Sequence, residues 1–152
     1  MGRDESEGTG AEAPRAHVVH ADPKAPRGFE CEPLPAGVAR TPPDRKSPAK
    51  WAYERLILYI KNFEDLLDEE HEIAMGFTGA SAGILRIEGI GYFDPDIVTF
   101  YGTDADGTRT QLIQHVSQLN VILRALPKRA EAAEPRRIGF RLAEDLSEAG
   151  PE

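Results

Sequence analysis

Two histidines and a nearby run of carboxylates are the residues of this chain best suited to chemistry. His71 lies inside the acidic stretch 64–72, and His115 follows a polar stretch in the second half of the chain. If folding brought the two imidazoles together beside Glu70 or Glu72, they would form a divalent-metal or acid–base site. No local metal-ligand spacing supports this hypothesis, and the alternative is that each histidine is an ordinary hydrogen-bonded residue. We therefore predict no metal and no cofactor, and retain both histidines as candidate ligand-binding residues.

The acidic stretch 64–72 is the second candidate. Its carboxylates crowd the predicted end of a helix, where the helix dipole is already negative. The stretch could bind a cation or a basic partner, although a charge run of this kind usually forms a solvated face, which is the interpretation we favour. A calcium loop at 104–107 is excluded, because its register would place Gly102 and Ile113 where carboxylates are needed.

A row of amides and hydroxyls next to His115 is the third candidate. It consists of Gln111, Gln114, Ser117, Gln118 and Asn120. Such a concentration could recognise a polar ligand, which makes Gln114 and Gln118 candidate binding residues. The alternative, which we favour, is that these side chains cap free N–H groups at a helix start or satisfy the sheet edge.

The solvent side of the predicted sheet is the fourth candidate. Strand alternation places several arginines and one tyrosine on the side away from the helices: Arg86, Tyr101, Arg109, Arg137 and Arg141. Glu88 and Thr99 lie on the same side. Arginines beside an aromatic ring could bind nucleotides, as sheet-platform RNA binders do. Arginine–glutamate pairs across neighbouring strands would explain the same residues. An open face or a free edge also favours association with a protein partner or a second copy.

Sequence motifs of the common enzyme classes are absent. The chain has no Walker loop, dinucleotide-binding glycine fingerprint, nucleophile elbow or paired-cysteine metal motif. The absence lowers the expectation of an enzyme without excluding one.

Charge and hydropathy disfavour two classes of partner. The chain has a formal net charge of −8, with 18 Lys and Arg against 26 Asp and Glu. Binding to nucleic acid and to anionic membranes relies on basic residues, so both partners are disfavoured. No apolar run reaches the roughly 18 residues of a membrane-spanning helix. The one cysteine, Cys31, excludes an intrachain disulfide and fits a cytoplasmic protein.

The elements that must position these residues begin with a helix. Ser47 suits a helix N-cap and Pro48 the first helical position, and apolar residues then recur at helical spacing to about His71. Alternating residues predict strands at about 72–78, 84–93, 97–102 and 108–114.

Glycines punctuate the strands at two places. Gly89 and Gly91 predict a β-bulge that shifts the alternation, so that Ile90 and Tyr92 turn inward. Farther along, the Asp-Gly pair at 106–107 predicts a hairpin between the third and fourth strands.

Two periods compete after the hairpin. A helical spacing joins Leu112, Val116, Leu119, Leu123 and Leu126. We predict a strand to about residue 114, because the Asp-Gly turn needs a partner strand. A helix at 115–126 is then expected, and Pro127 ends it. Farther on, apolar residues alternate with arginine and glycine at Ile138, Phe140 and Leu142, and this alternation predicts a last strand.

These elements predict an α+β domain. The expected order is α-β-β-β-β-α-β, a two-layer fold in which two helices cover one face of an antiparallel sheet of about five strands. Residues 48–143 suffice for one modest core. The proline-rich arm, 1–47, is expected to be disordered because it cannot bury enough apolar surface, and the acidic tail, 144–152, is expected to be disordered too.

The combined pattern resembles an uncharacterised bacterial family, a domain of unknown function. The resemblance spans about residues 50–142 and rests on Ile90-Gly91-Tyr92, Phe100-Tyr101-Gly102, the run from Leu112 to Leu119, and Arg136-Arg137-Ile138-Gly139-Phe140. It implies a small bacterial cytoplasmic domain and brings no activity, cofactor or catalytic residue.

Three functions follow from these candidates. The favoured one is a small cytoplasmic binding or adaptor module that self-associates or binds an unidentified protein partner through its sheet, with the arm as a flexible tether. The first alternative is a metal- or ligand-dependent enzyme that uses His71, His115 and a carboxylate. The second is a nucleotide or RNA binder on the arginine-bearing sheet face.

Overall fold

The computed structural model describes residues 16–26, 28–77 and 83–148. The chain divides into two compact units, Met1–Leu34 and Pro35–Glu152. In the described part of the first unit, a 3-10 turn spans Phe29–Cys31. All candidate residues of the sequence analysis lie in the second unit.

The second unit is an α+β fold with a five-stranded antiparallel sheet, which confirms the predicted fold class. Its helices are α1 (Ala36–Ala39), α2 (Pro48–Asp65) and α3 (Gly139–Glu148). Its strands are β1 (His71–Phe77), β2 (Ile84–Phe93), β3 (Ile97–Thr103), β4 (Arg109–His115) and β5 (Val121–Pro127). The strands lie in the order β4-β3-β2-β1-β5, so β4 and β5 form the two edges.

Helix α2 begins where the sequence predicts. The Ser47 hydroxyl accepts a hydrogen bond from the Lys50 N–H at 3.0 Å, and Pro48 occupies the first turn. The carbonyl of Pro95, in the turn between β2 and β3, accepts the next free N–H, that of Ala49, at 3.0 Å. The helix start is thereby fixed to the sheet, and α2 packs across β1, β2 and β3.

Strand β2 contains the predicted bulge. Its register with β3 shifts between Ile87 and Gly89, after which Ile90 lies opposite the buried Phe100. The Tyr92 ring then faces the helix layer, where its centroid lies 4.9 Å from that of Tyr53 in α2. The inward turn of Ile90 and Tyr92 is confirmed.

Strands β3 and β4 form the predicted hairpin. Gly107 has a φ of +84°, a left-handed conformation that favours glycine. Asp104 Oδ1 accepts the N–H groups of Asp106 and Thr108, both at 2.9 Å, which closes the turn. Every residue of β4 then pairs with β3.

The predicted helix at 115–126 is wrong. A 3-10 turn, Val116–Gln118, follows β4, and the chain then forms the edge strand β5. The chain forms a strand here, not a helix, because β1 is buried on both faces and its second edge needs a partner. Strand β5 pairs with that edge along its whole length. Leu123 therefore packs on the core, whereas Ile122 and Arg124 are exposed. The leucine spacing is spread over successive elements and does not mark one helix.

The predicted last strand is also wrong, because α3 occupies this region. Ile138, Leu142 and Leu146 are four residues apart, which is helical spacing, and Ile138 and Leu146 are buried. Phe140, expected on the inner face of the sheet, is 58% exposed. Helix α3 packs against α2 and α1, so α2 is the helix that covers the sheet.

The compact unit extends beyond the predicted range 48–143. Val38 of α1 is buried, and Lys46 Nζ donates both to the Val38 carbonyl and to Glu54 Oε1 of α2, each at 2.6 Å. At the other end α3 continues to Glu148. Parts of the predicted arm and tail, residues 1–15, 27 and 149–152, lie outside the described residues. Within the described ranges, none of the helices has the length and apolar character needed to cross a membrane.

Candidate functional site

The two histidines do not share a site. His71 begins β1 and His115 ends β4, and the order of the sheet places β2 and β3 between them. Three strand spacings alone separate them by roughly 14 Å. Across residues 16–26, 28–77 and 83–148, no three His, Cys, Asp or Glu side chains are grouped so that they could hold a metal ion. The convergence that the metal or acid–base hypothesis requires is therefore missing.

His71 is paired locally. Its Nδ1 lies 2.7 Å from Asp68 Oδ1, and the same oxygen accepts the Glu70 N–H at 2.9 Å. The hydrogen bond with the His71 ring, followed by that with the Glu70 N–H, lowers the pKa of Asp68 below its ordinary value. His71 thus helps to order the turn that leads from α2 into β1.

His115 and Gln118 cap the 3-10 turn after β4. The Nδ1 atom of His115 accepts the Ser117 N–H at 3.0 Å, and its backbone N–H donates to Gln118 Oε1 at 2.9 Å. Because Nδ1 is the acceptor, the neutral ring carries its proton on Nε2, which lies 3.1 Å from Asp96 Oδ2. Both residues therefore have capping partners, as the favoured interpretation of this polar row expects.

Glu64 is buried, contrary to the prediction of a solvated acidic face. It is 5% exposed, and its carboxylate accepts the N–H groups of Ile138 and Gly139, the latter at 2.7 Å. A negative group at this position satisfies free N–H groups at the start of α3 and complements the helix dipole. A Cβ on Gly139 would lie 2.8 Å from Glu64 Oε1, so the close approach requires glycine.

Glu72 is the second buried carboxylate of the stretch, at 4% exposure. Its Oε2 accepts from Arg86 Nη1 at 2.5 Å, and its Oε1 accepts the N–H of Arg136 at 2.8 Å. Arg86 Nη2 also donates to the Pro127 carbonyl at 3.3 Å. Arg86 therefore follows the alternative prediction, an arginine–glutamate pair across neighbouring strands, because Glu72 lies in β1 and Arg86 in β2.

Arg137 also has a structural role. It precedes α3 rather than lying in a strand, and its guanidinium donates to the carbonyls of His71 and Asp68 at 2.7 and 2.8 Å. Arg141 lies in α3. The segment 136–139 and the acidic stretch 64–72 therefore lock together, and the predicted arginine face loses three of its four arginines.

The outer face, defined as the side of β2, β3 and β4 away from α2, keeps Tyr101 and Arg109. The Tyr101 ring lies over Gly89, 3.5 Å from where a Cβ would be, and its hydroxyl oxygen accepts from Thr99 Oγ1 at 3.3 Å. Three apolar or aromatic residues of this face are highly exposed: Phe93 at 74%, Ile113 at 60% and Tyr101 at 42%. This is an open surface with an apolar centre.

Strand β4 is the less protected of the two sheet edges. No described strand pairs with its free side. Its interior, residues 110–114, holds no charge, no proline and no bulge. Edge strands usually carry such features, because unpaired N–H and C=O groups can template a further strand. Strand β5, in contrast, has Arg124 at its centre and ends at Pro127.

The two ends of β4 differ in their charged partners. Arg109 is exposed and forms no ion pair or hydrogen bond with a described side chain, whereas His115 is held by Asp96. Gln111 points outward next to Tyr101 in the register. Gln114 faces the helix layer, where its buried Oε1 has no hydrogen-bond partner among the described residues.

Phe93, Ile113 and Arg124 were not among the predicted site residues. Two of them had a signal in the sequence. Once Leu112 faces the core, its neighbour Ile113 must face outward, and the same holds for Phe93 after the inward-facing Tyr92. Arg124 was hidden, because it fell within the wrongly predicted helix.

Comparison with known proteins supplies a family and no activity. The model of a family of unknown function, DUF6173, matches residues 46–141. Searches of the curated proteins and of the solved structures found no match.

Proposed function

The chain belongs to the DUF6173 family of unknown function, and we propose that it is a protein-binding module that associates through β4 and the adjoining outer face. The observation that carries the proposal is an edge strand with an uncharged interior that borders an exposed apolar surface. Ile113, at the centre of this region, is 60% exposed.

Strand addition is the mode of binding that this geometry supports. An added strand would form main-chain hydrogen bonds with the free side of β4, and these bonds supply affinity for any extended segment. Side chains of the added strand would alternate between the two faces. Those on the outer face would meet Gln111 and Ile113, with Tyr101 one strand behind them.

A protein partner fits this surface better than RNA does. Tyr101 could stack on a base, but phosphate binding needs several free cations. Arg86 is neutralised by Glu72, and the hairpin that precedes Arg109 carries Asp104 and Asp106. An apolar centre beside Arg109, which has no carboxylate partner among the described residues, suits a protein segment that carries apolar and acidic side chains.

An enzymatic role has no comparable support. His71 and His115 lie on strands separated by two others, and each is engaged in local hydrogen bonds. We further propose that the protein acts in a bacterial cytoplasm; its lone cysteine, which allows no intrachain disulfide, supports this location.

Two matched lysine substitutions test the proposal. Ile113→Lys places a charge in β4, and Ile122→Lys places the same charge in β5, at a residue that is 48% exposed on the other edge. Affinity capture from the cells that make the protein should recover a partner with the wild type and with Ile122→Lys, and should lose it with Ile113→Lys. Equal recovery with all three proteins would refute a role of β4.

A further inference from the structure

Resting on the proposed function, we infer that the strand added to β4 is β4 of a second copy of this chain. The two strands would run antiparallel about a two-fold axis at Leu112. In this register all seven residues of Arg109–His115 find partners, and outer-face residues meet outer-face residues. The two sheets would join into one continuous sheet of ten strands.

The pairs created by this register are compatible along the whole strand. Gln111 would lie opposite the partner's Ile113, and Thr110 opposite the partner's Gln114. None of the five interior residues is charged, so no like charges face each other there. A two-fold axis is also the commonest symmetry of soluble homo-oligomers, because one self-complementary patch serves both subunits.

Charge complementarity at the ends of β4 is the main argument for a second copy. The register places Arg109, which has no carboxylate partner among the described residues, opposite the partner's His115. In each copy His115 Nε2 lies 3.1 Å from Asp96 Oδ2, and the Asp96 side chain is 41% exposed. Directly opposed residues have Cβ atoms about 5 Å apart. Each Arg109 would therefore reach the partner's Asp96, and symmetry makes this contact twice.

The other edge does not offer the same match. A full-length antiparallel pairing of two β5 strands would centre on Arg124 and place two arginines directly opposite each other. Like charges in opposed positions destabilise a strand pair. The self-complementary edge is therefore β4.

Analytical ultracentrifugation of charge-reversed variants tests the inference. Arg109→Asp sets two pairs of aspartates against each other in its homodimer, and Asp96→Arg sets two pairs of arginines. Each variant alone should raise the dimer Kd roughly tenfold at low salt. In an equimolar mixture both contacts become attractive again, so the mixed dimer should return to within about threefold of the wild-type Kd. Arg124→Asp, the matched charge reversal on β5, should leave the Kd unchanged.

The outcomes separate this inference from the proposed function. A wild-type protein that stays monomeric at every concentration, or a mixture that associates no better than the single variants, overturns the second-copy model. If Ile113→Lys still abolishes capture of another protein, the proposed function stands without it. Circular dichroism shows whether each variant is folded, and Ile113→Lys probes the same edge without changing either charged residue.

Discussion

The carboxylate of Glu64, at the end of α2, accepts a hydrogen bond from the N–H of Gly139 at 2.7 Å. The residues are 75 positions apart in the chain, and their contact fixes the start of α3 against α2. The acidic stretch therefore acts first as a structural element. The proposed function is therefore placed on the outer face and β4, away from this stretch.

Removal of the Glu64 carboxylate should destabilise the protein. Glu64→Ala leaves the N–H groups of Ile138 and Gly139 without their buried acceptor, which should cost about 2–3 kcal/mol in the free energy of unfolding. Urea denaturation measures this as a lower midpoint with an unchanged slope. Asp65→Ala, at the exposed neighbouring carboxylate, is the control and should cost at most about 0.5 kcal/mol. Similar midpoints for both variants would contradict the capping role.

Gly139 should tolerate no side chain. Gly139→Ala introduces a Cβ 2.8 Å from both Glu64 Oε1 and Lys61 Cα, so the two helices must separate, at a cost of about 1–3 kcal/mol. Gly76→Ala is the control, because a Cβ there would meet its nearest neighbour, Ile122 Cβ, at an ordinary 3.7 Å. Thermal denaturation should lower the Tm of the first variant and leave the second near the wild type. A Gly139→Ala protein as stable as Gly76→Ala would argue against the close helix contact.

Glu72 and Arg86 should be strongly coupled. Their side chains are 5% and 18% exposed, so removal of either partner leaves a poorly solvated charge, at a cost of about 3 kcal/mol. A double-mutant cycle with Glu72→Ala and Arg86→Ala should give a coupling energy of about 1–3 kcal/mol. The exposed pair Lys61–Asp65 supplies the control cycle, with about 0.5 kcal/mol or less. The prediction fails if the two cycles give the same coupling energy.

Tyr53 should resist ionisation. Burial, followed by its hydrogen bond to Asp145, raises the pKa of the Tyr53 phenol well above the ordinary value of 10.0. A pKa that folding raises adds stability at a pH below the unfolded value, and this stability is lost as the pH climbs towards the folded value. The stability advantage of the wild type over Tyr53→Phe should therefore shrink above about pH 10. Phenolate absorbance should differ between the two proteins only well above that pH; a difference already present at pH 10 would show an unshifted tyrosine.

Local chemistry made much of the first half of the fold predictable. Ser47-Pro48, the Gly89–Gly91 bulge and the Asp106-Gly107 turn act through backbone geometry and bonds within a few residues, so their types and spacing are sufficient. The order of the last two elements was not predictable in this way. The leucine spacing after Leu112 fits a helix as well as a strand, and the free edge of β1 decides between them.

In the candidate site too, some features could be predicted from local sequence and others could not. The outward direction of Tyr101 and Arg109 follows from alternation along the strand. The buried state of Glu64 and Glu72 does not, because both carboxylates accept backbone N–H groups from more than 60 positions later in the chain, at Ile138 and Arg136. The helical spacing of Ile138, Leu142 and Leu146 was present in the sequence. It was not recognised, because the predicted domain boundary at residue 143 separates Leu146 from the other two.

Site-specific photo-crosslinking tests the role of β4 most directly. A photoreactive phenylalanine analogue replaces Ile113 in β4 in one protein and Ile122 in β5 in the other, and both are irradiated in the cells that make them. Ile113 is 60% exposed and Ile122 is 48% exposed, so the photoreactive side chain is accessible at both positions. We expect a covalent protein adduct from position 113, with a second copy or another protein, and none from position 122. Adducts from position 122 alone, or equal adducts from both positions, would show that β4 is not the binding edge.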